Sequence, residues 1–145
     1  MDEHELMRHV AQGLWAACND DRNAFLDALD AITEPEDPAL IYSACCGFAE
    51  AGRQAMEQIY GVTADPDNGA TWGAVPKNQA AEHAPPNRWF SIRFLVAHAN
   101  HDHDMTLALF NAAVEAGPDH LVDAMVALVM DAANLVDIVL KEVDA

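Results

Sequence analysis

The stretch PDHLVDAMVALVMDAANLVDIVLKEV, Pro118 to Val143, decides the fold class. Asp131, Asn134, Asp137 and Lys141 recur every three to four positions, so they share one narrow stripe of a helix. Pro118 suits a first helical turn, and Gly117 before it ends the preceding helix. The remaining surface is apolar and needs cover. The N-terminal half of this helix is expected to run through the centre of the fold. The C-terminal half is expected to meet a second copy of the chain, with an Asp137–Lys141 pair near the rim. Asp123, Asp131 and Asp137 interrupt the run too often for a membrane span.

Working outward, five more helices are predicted. The first runs from about Glu3 to Cys18, with Leu6, Val10, Leu14 and Cys18 in one apolar row and Met7, Ala11 and Trp15 beside it. Asn19-Asp20-Asp21 supplies a stop and a new cap. The second runs from about Asp21 to Ile32, with Phe25, Leu26, Leu29 and Ile32 inward and Asp27 and Asp30 in water. Asp37 and Pro38 open the third, which carries Leu40, Ile41, Ala44, Cys45, Phe48, Met56, Ile59 and Tyr60 and ends at Gly61. The fourth, about Asn87 to Asn100, is apolar almost all round (Trp89, Phe90, Ile92, Phe94, Leu95, Val96), which marks a central helix. Asp104 is the expected cap of the fifth, which ends near Ala116.

Residues 61–87 are the long irregular stretch, with Pro66, Pro76, Pro85 and Pro86. Trp72 and Val75 are its expected apolar anchors. Asn19-Asp20-Asp21 and Asn100-His101-Asp102 lie 81 residues apart, and Pro38 and Pro118 lie 80 apart. Each half reads as medium, short and long helix. The chain is therefore expected to be one all-α domain over 1–145. It would be a six-helix bundle or a short helical solenoid, with similar three-helix halves at 1–60 and 88–145 joined by the loop.

The 145 residues carry 24 Asp and Glu against 7 Lys and Arg, a formal net charge of −17. That excess repels phosphate, so direct binding to nucleic acid or an anionic membrane is disfavoured. It allows a basic protein partner, bound cations or plain solubility. Cys18, Cys45 and Cys46 are an odd number with no CxxC, which fits a reduced, cytoplasmic protein. The acidic start, Met-Asp-Glu-His-Glu, is unlike a secretory signal. Cys45 is expected in the core and Cys46 partly exposed, without the positive surroundings that would activate a thiol.

The segment His98-Ala-Asn-His101-Asp102-His103-Asp104 is the sharpest local feature. His98, His101, His103 and Asp104 are candidate ligands for a divalent transition metal, with His83, Asp119 or His120 assisting. The competing reading is a capped turn between two helices, with His near a helix C-terminus and Asp as a cap. A His-Asp pair in an all-helical chain resembles the HD-type metal-dependent phosphohydrolases. The resemblance covers two residues. That family adds an earlier His and a later Asp converging on the metal from an apolar helical setting, whereas this pair falls in a turn. Asp65-Pro66-Asp67-Asn68-Gly69 resembles a calcium loop but has its Gly at the fifth position and no Glu at the twelfth, so it reads as a turn.

Asp20, Asp21, Asp27, Asp30, Glu34, Glu36 and Asp37 face only Arg22 within one short run. They are the candidate partner-binding residues. Three function classes follow. The reading that asks least of the sequence is a non-enzymatic acidic helical module, an adaptor or regulator that binds a basic protein surface and needs no cofactor. The second is a metal-binding protein or metal-dependent hydrolase built on His98–His103. The third is a DNA mimic that occupies a nucleic-acid site on its target.

Overall fold

In the computed structural model, residues 1–65, 67, 69–73 and 86–143 are described. They form six helices: α1 Glu3–Cys18, α2 Arg22–Thr33, α3 Pro38–Tyr60, α4 Pro86–Ala99, α5 His103–Ala116 and α6 Pro118–Val143. Among the described residues the β structure is a single bridge, Asp65 with Ala70. The all-α bundle expected from the periodicity is the fold.

Four of the six helix starts carry an aspartate cap. The Asp2, Asp21, Asp37 and Asp102 carboxylates accept hydrogen bonds from the backbone N–H groups of Glu5, Ala24, Ala39 and Met105. Pro38 stands at the first position of α3, where its missing N–H costs nothing. Gly61 ends α3 in the left-handed conformation, φ 68°.

The two short turns share one geometry. After α1, the Asn19 N–H donates to Trp15 O (3.1 Å) and the Asp21 N–H to Ala16 O (2.9 Å). After α4, the Asn100 N–H donates to Val96 O (3.0 Å) and the Asp102 N–H to Ala97 O (2.9 Å). Asp20 and His101, at the middle of each turn, both have positive φ, 54° and 60°. Burial repeats as well. Ile41, Ala44, Cys45, Phe48, Ala49 and Gly52 of α3 are buried, and so are Leu121, Ala124, Met125, Leu128, Val129 and Ala132 of α6, each 80 residues on.

α3 and α6 form the central layer. They run in the same direction, since one pocket joins Pro38 and Ile41 to Pro118 and Leu121, and another joins Ala55 and Gln58 to Val136 and Val139. α4 packs on α3 in the opposite direction, with Leu95 over Gly52 and His98 beside Glu50. α1 covers the other flank of α6, where the Cys18 thiol donates to Ala133 O (3.5 Å). Phe48, Phe94, Leu128 and Val129 are fully enclosed in the core these helices share. Burying each such side chain stabilises the fold by about 1.5–3 kcal/mol.

Several expected contacts differ. Trp15 is 62% exposed rather than part of the α1 core row. α1 buries only the stripe through Leu6, Val10, Gly13 and Ala16, and Trp15 falls beside it. Leu26 and Tyr60 likewise point outward. Asp131, read as part of a solvent stripe on α6, is instead turned to α4. It accepts from the fully buried Ser91 hydroxyl (2.6 Å) and from Arg88 (2.8 Å). Asp104 does not cap α5. The left-handed step at His101 brings Asp102 into that place.

Candidate functional site

The acidic run maps onto α2 and the turns at its ends. Asp20, Asp21, Asp27, Asp30, Glu34, Glu36 and Asp37 are all exposed. None is in an ion pair among the described residues. The ion pairs found there are Arg53 with Glu50 and Glu57, Arg88 with Asp131, and Lys141 with Asp137. Arg93 stacks over the Trp89 ring at 5.6 Å. Arg53, Arg88, Arg93 and Lys141 are thus engaged elsewhere, and with Arg22 alone within the run the α2 region keeps a surplus of carboxylates.

The four candidate metal ligands do not converge. His98 points from α4 into α3, where its Nε2 lies 3.0 Å from Glu50 Oε1, while its Nδ1 is buried without a partner. His101 is the exposed left-handed residue of the turn. His103 and Asp104 are exposed in the first turn of α5. Asp102, of the His-Asp pair, is spent as the α5 cap. Among the described residues, no group of three or more His, Cys, Asp or Glu side chains could hold a metal ion. The reason is the helix break: one positive-φ step between His98 and His103 sends their side chains to different faces. His83 lies outside the described residues.

The His98–Glu50 contact belongs to a polar chain across α3 and α4. Arg53 Nε donates to Glu50 Oε1 (2.7 Å), and Arg53 also pairs with Glu57 (2.7 Å). The Arg53 guanidinium is the main cause that holds the Glu50 carboxyl down to about 2, with His98 and Gln54 adding to it against the cost of burial. In return, Glu50 holds Arg53 charged. This chain ties two helices together and leaves Glu50 ionised at neutral pH, without a proton to exchange there.

Neither adjacent thiol is activated. Burial pushes Cys45 and Cys46 up, the latter against a lowering hydrogen bond with Tyr42. Cys45 is fully enclosed and Cys46 half-buried, as their pattern suggested. Trp72 packs on the core as expected of an anchor. Its backbone N–H donates to Asn100 Oδ1 (2.6 Å), and Asn100 Nδ2 donates back to Trp72 O (3.0 Å). Val75, Pro66 and Asn68 lie outside the described residues.

Sequence reading missed one concave feature. An apolar pocket of about 490 Å³ opens where α3 and α6 begin. Thr33, Glu36, Pro38 and Ile41 line it from one half of the chain. Val114, Pro118, Leu121, Val122 and Met125 line it from the other. The signal was present in the 80-residue recurrence of Pro38 and Pro118, each followed three residues later by a large aliphatic side chain. What it lacked was the fact that both helix starts adjoin. Comparison with protein-family models, curated proteins and solved structures gave no match.

Proposed function

We propose that this chain is a non-enzymatic acidic interaction module that docks a basic protein surface through α2 and its flanking turns. The observation that carries the reading is the set of seven exposed carboxylates without ion-pair partners. Opposite charges brought to 4 Å at a protein surface attract by about 4 kcal/mol before desolvation. The surplus of carboxylates over Arg22 therefore favours a cationic surface and speeds its encounter. Three free thiols without bridging partners fit a reducing compartment such as the cytoplasm. No helix among the described residues is long and apolar enough to cross a membrane. A second copy of the chain is the further partner we propose, at the C-terminal half of α6, where Leu140 is 51% and Val143 71% exposed.

The test is capture of partners by the full chain and by an Asp27→Asn, Asp30→Asn, Glu34→Gln variant, followed across a salt gradient. The reading expects basic proteins that elute as ionic strength rises and that the variant fails to retain. Retention unaffected by both salt and the variant would refute it. Competition of duplex DNA for the captured partner would turn the reading toward a DNA mimic.

A further inference from the structure

We infer that the pocket at the joined starts of α3 and α6 is the anchor point for the partner, and that the partner offers it a basic amphipathic helix. This inference rests on the acidic-module reading and adds a location and a partner anatomy to it. The pocket floor is apolar: Ile41, Leu121 and Met125 are buried core side chains, and Val114 and Val122 form exposed walls. A volume near 490 Å³ is within the ordinary range of binding cavities.

The rim selects the occupant. Glu36 lines the pocket itself. Glu34, Asp37, Glu115, Asp119 and Asp123 directly adjoin lining residues in sequence and are exposed. None of the six is in an ion pair among the described residues. No Lys or Arg is among the lining residues or their immediate neighbours in sequence. The starts of α3 and α6 bring only about half a positive charge each. With Glu36 on the lining, further carboxylates beside lining residues in the chain and no Lys or Arg among them, an anionic amphiphile such as a fatty acid is disfavoured here. A helix with Leu-type side chains on one face and Lys or Arg on the other matches both the floor and the rim. The rim is continuous with the α2 run, since Glu34, Glu36 and Asp37 belong to both. Electrostatic capture along α2 would therefore deliver the helix to the pocket.

Two synthetic probes test this, each of about four helical turns. One carries Leu and Lys at amphipathic spacing. The other has the same Lys positions with Ala in place of Leu. The full-length chain should bind the Leu peptide at least about tenfold tighter than the Ala peptide, a gap of about 1.4 kcal/mol. Binding should shift the methyl NMR signal of Met125 and spare that of Met105, on the far end of α5. Val122→Trp fills the pocket from a position that is 40% exposed, so the fold has room for it. It should bring the Leu peptide down to the affinity of the Ala peptide and leave the latter unchanged. Val114→Trp serves as the second blocking variant. If both peptides bind equally, with salt-sensitive affinity and no response to either blocking variant, the pocket inference falls and the acidic module stands. If neither peptide binds at low salt, both fall.

Discussion

Gly52 of α3 lies directly beneath Leu95 of α4. A methyl group at position 52 would stand 2.7 Å from Leu95 Cδ1 and 3.7 Å from Ala132 Cβ on α6. Three helices meet at this point because one residue has no side chain. Leu95 is itself buried, so it has little room to turn away. Gly52→Ala gains about 0.5–1 kcal/mol of helix preference but incurs an overpacking cost of about 1–3 kcal/mol. The expected net effect is a loss of about 1 kcal/mol, read as a lower urea midpoint. A variant as stable as the parent would show that α4 shifts freely on α3.

Ser91 and Asp131 form a buried tie between α4 and α6 at 2.6 Å, with Arg88 on the second carboxylate oxygen. A hydrogen bond to a charged group contributes about 1.5–3 kcal/mol. Ser91→Ala should lose an amount in that range. Asp131→Ala should lose at least as much, because it strands a hydroxyl that is fully shielded from water. A double-mutant cycle should return a coupling of at least about 1 kcal/mol. Additive losses would mean that the contact contributes nothing.

His101 holds φ 60° in the turn between α4 and α5. A side chain in that conformation costs about 1–2 kcal/mol, and glycine pays back part of the relief through its more flexible unfolded state. His101→Gly should therefore raise stability by about 0.5–1 kcal/mol, measured by thermal or urea unfolding. A marked loss would point to a role for the imidazole beyond the turn.

Glu50 titrates at about 2 in the folded chain against an ordinary 4.5, chiefly because Arg53 holds its carboxylate. Folding therefore makes this group harder to protonate. Its stabilising effect is complete above 4.5 and is lost as pH falls through 4.5 toward 2. Glu50→Gln should be less stable than the parent at about pH 6, and the two urea midpoints should converge near pH 2. A difference that stays constant over that window would assign the effect to packing rather than to charge.

Leu140 and Val143, three residues apart, share an exposed apolar face at the end of α6. If a second copy covers it, Leu140→Glu with Val143→Glu should convert a concentration-dependent dimer to a monomer in sedimentation, with helix content unchanged. Identical sedimentation of parent and variant would remove this contact from the proposed partners.

Much of the architecture was legible in the chain because its causes are local. Aspartate, proline and glycine at helix ends act within one turn, so the caps at Asp21 and Asp37 and the stop at Gly61 could be read directly. The depth of α6 followed from the narrowness of its Asp131–Asn134–Asp137–Lys141 stripe on a largely apolar helix. Direction within an apolar helix was harder to read. Trp15 and Leu26 look like core residues by type, yet their positions relative to neighbouring helices leave them outside. Asp131 looks like a surface residue by type, yet Ser91 and Arg88 draw it inward. The same limit applied to the histidines, since their closeness in sequence carried no information about the break at His101 that separates them.

Composition and period alone determined that this chain forms helices, that those helices bury a shared apolar layer, and that carboxylates dominate what remains outside. Tertiary structure alone decided which carboxylates stay uncompensated and that the starts of α3 and α6 meet around an apolar hollow. The physical reason is range: caps and periodicity act over one helical turn, whereas the Arg88–Asp131 pair joins residues 43 apart and the pocket joins helix starts 80 apart in the chain.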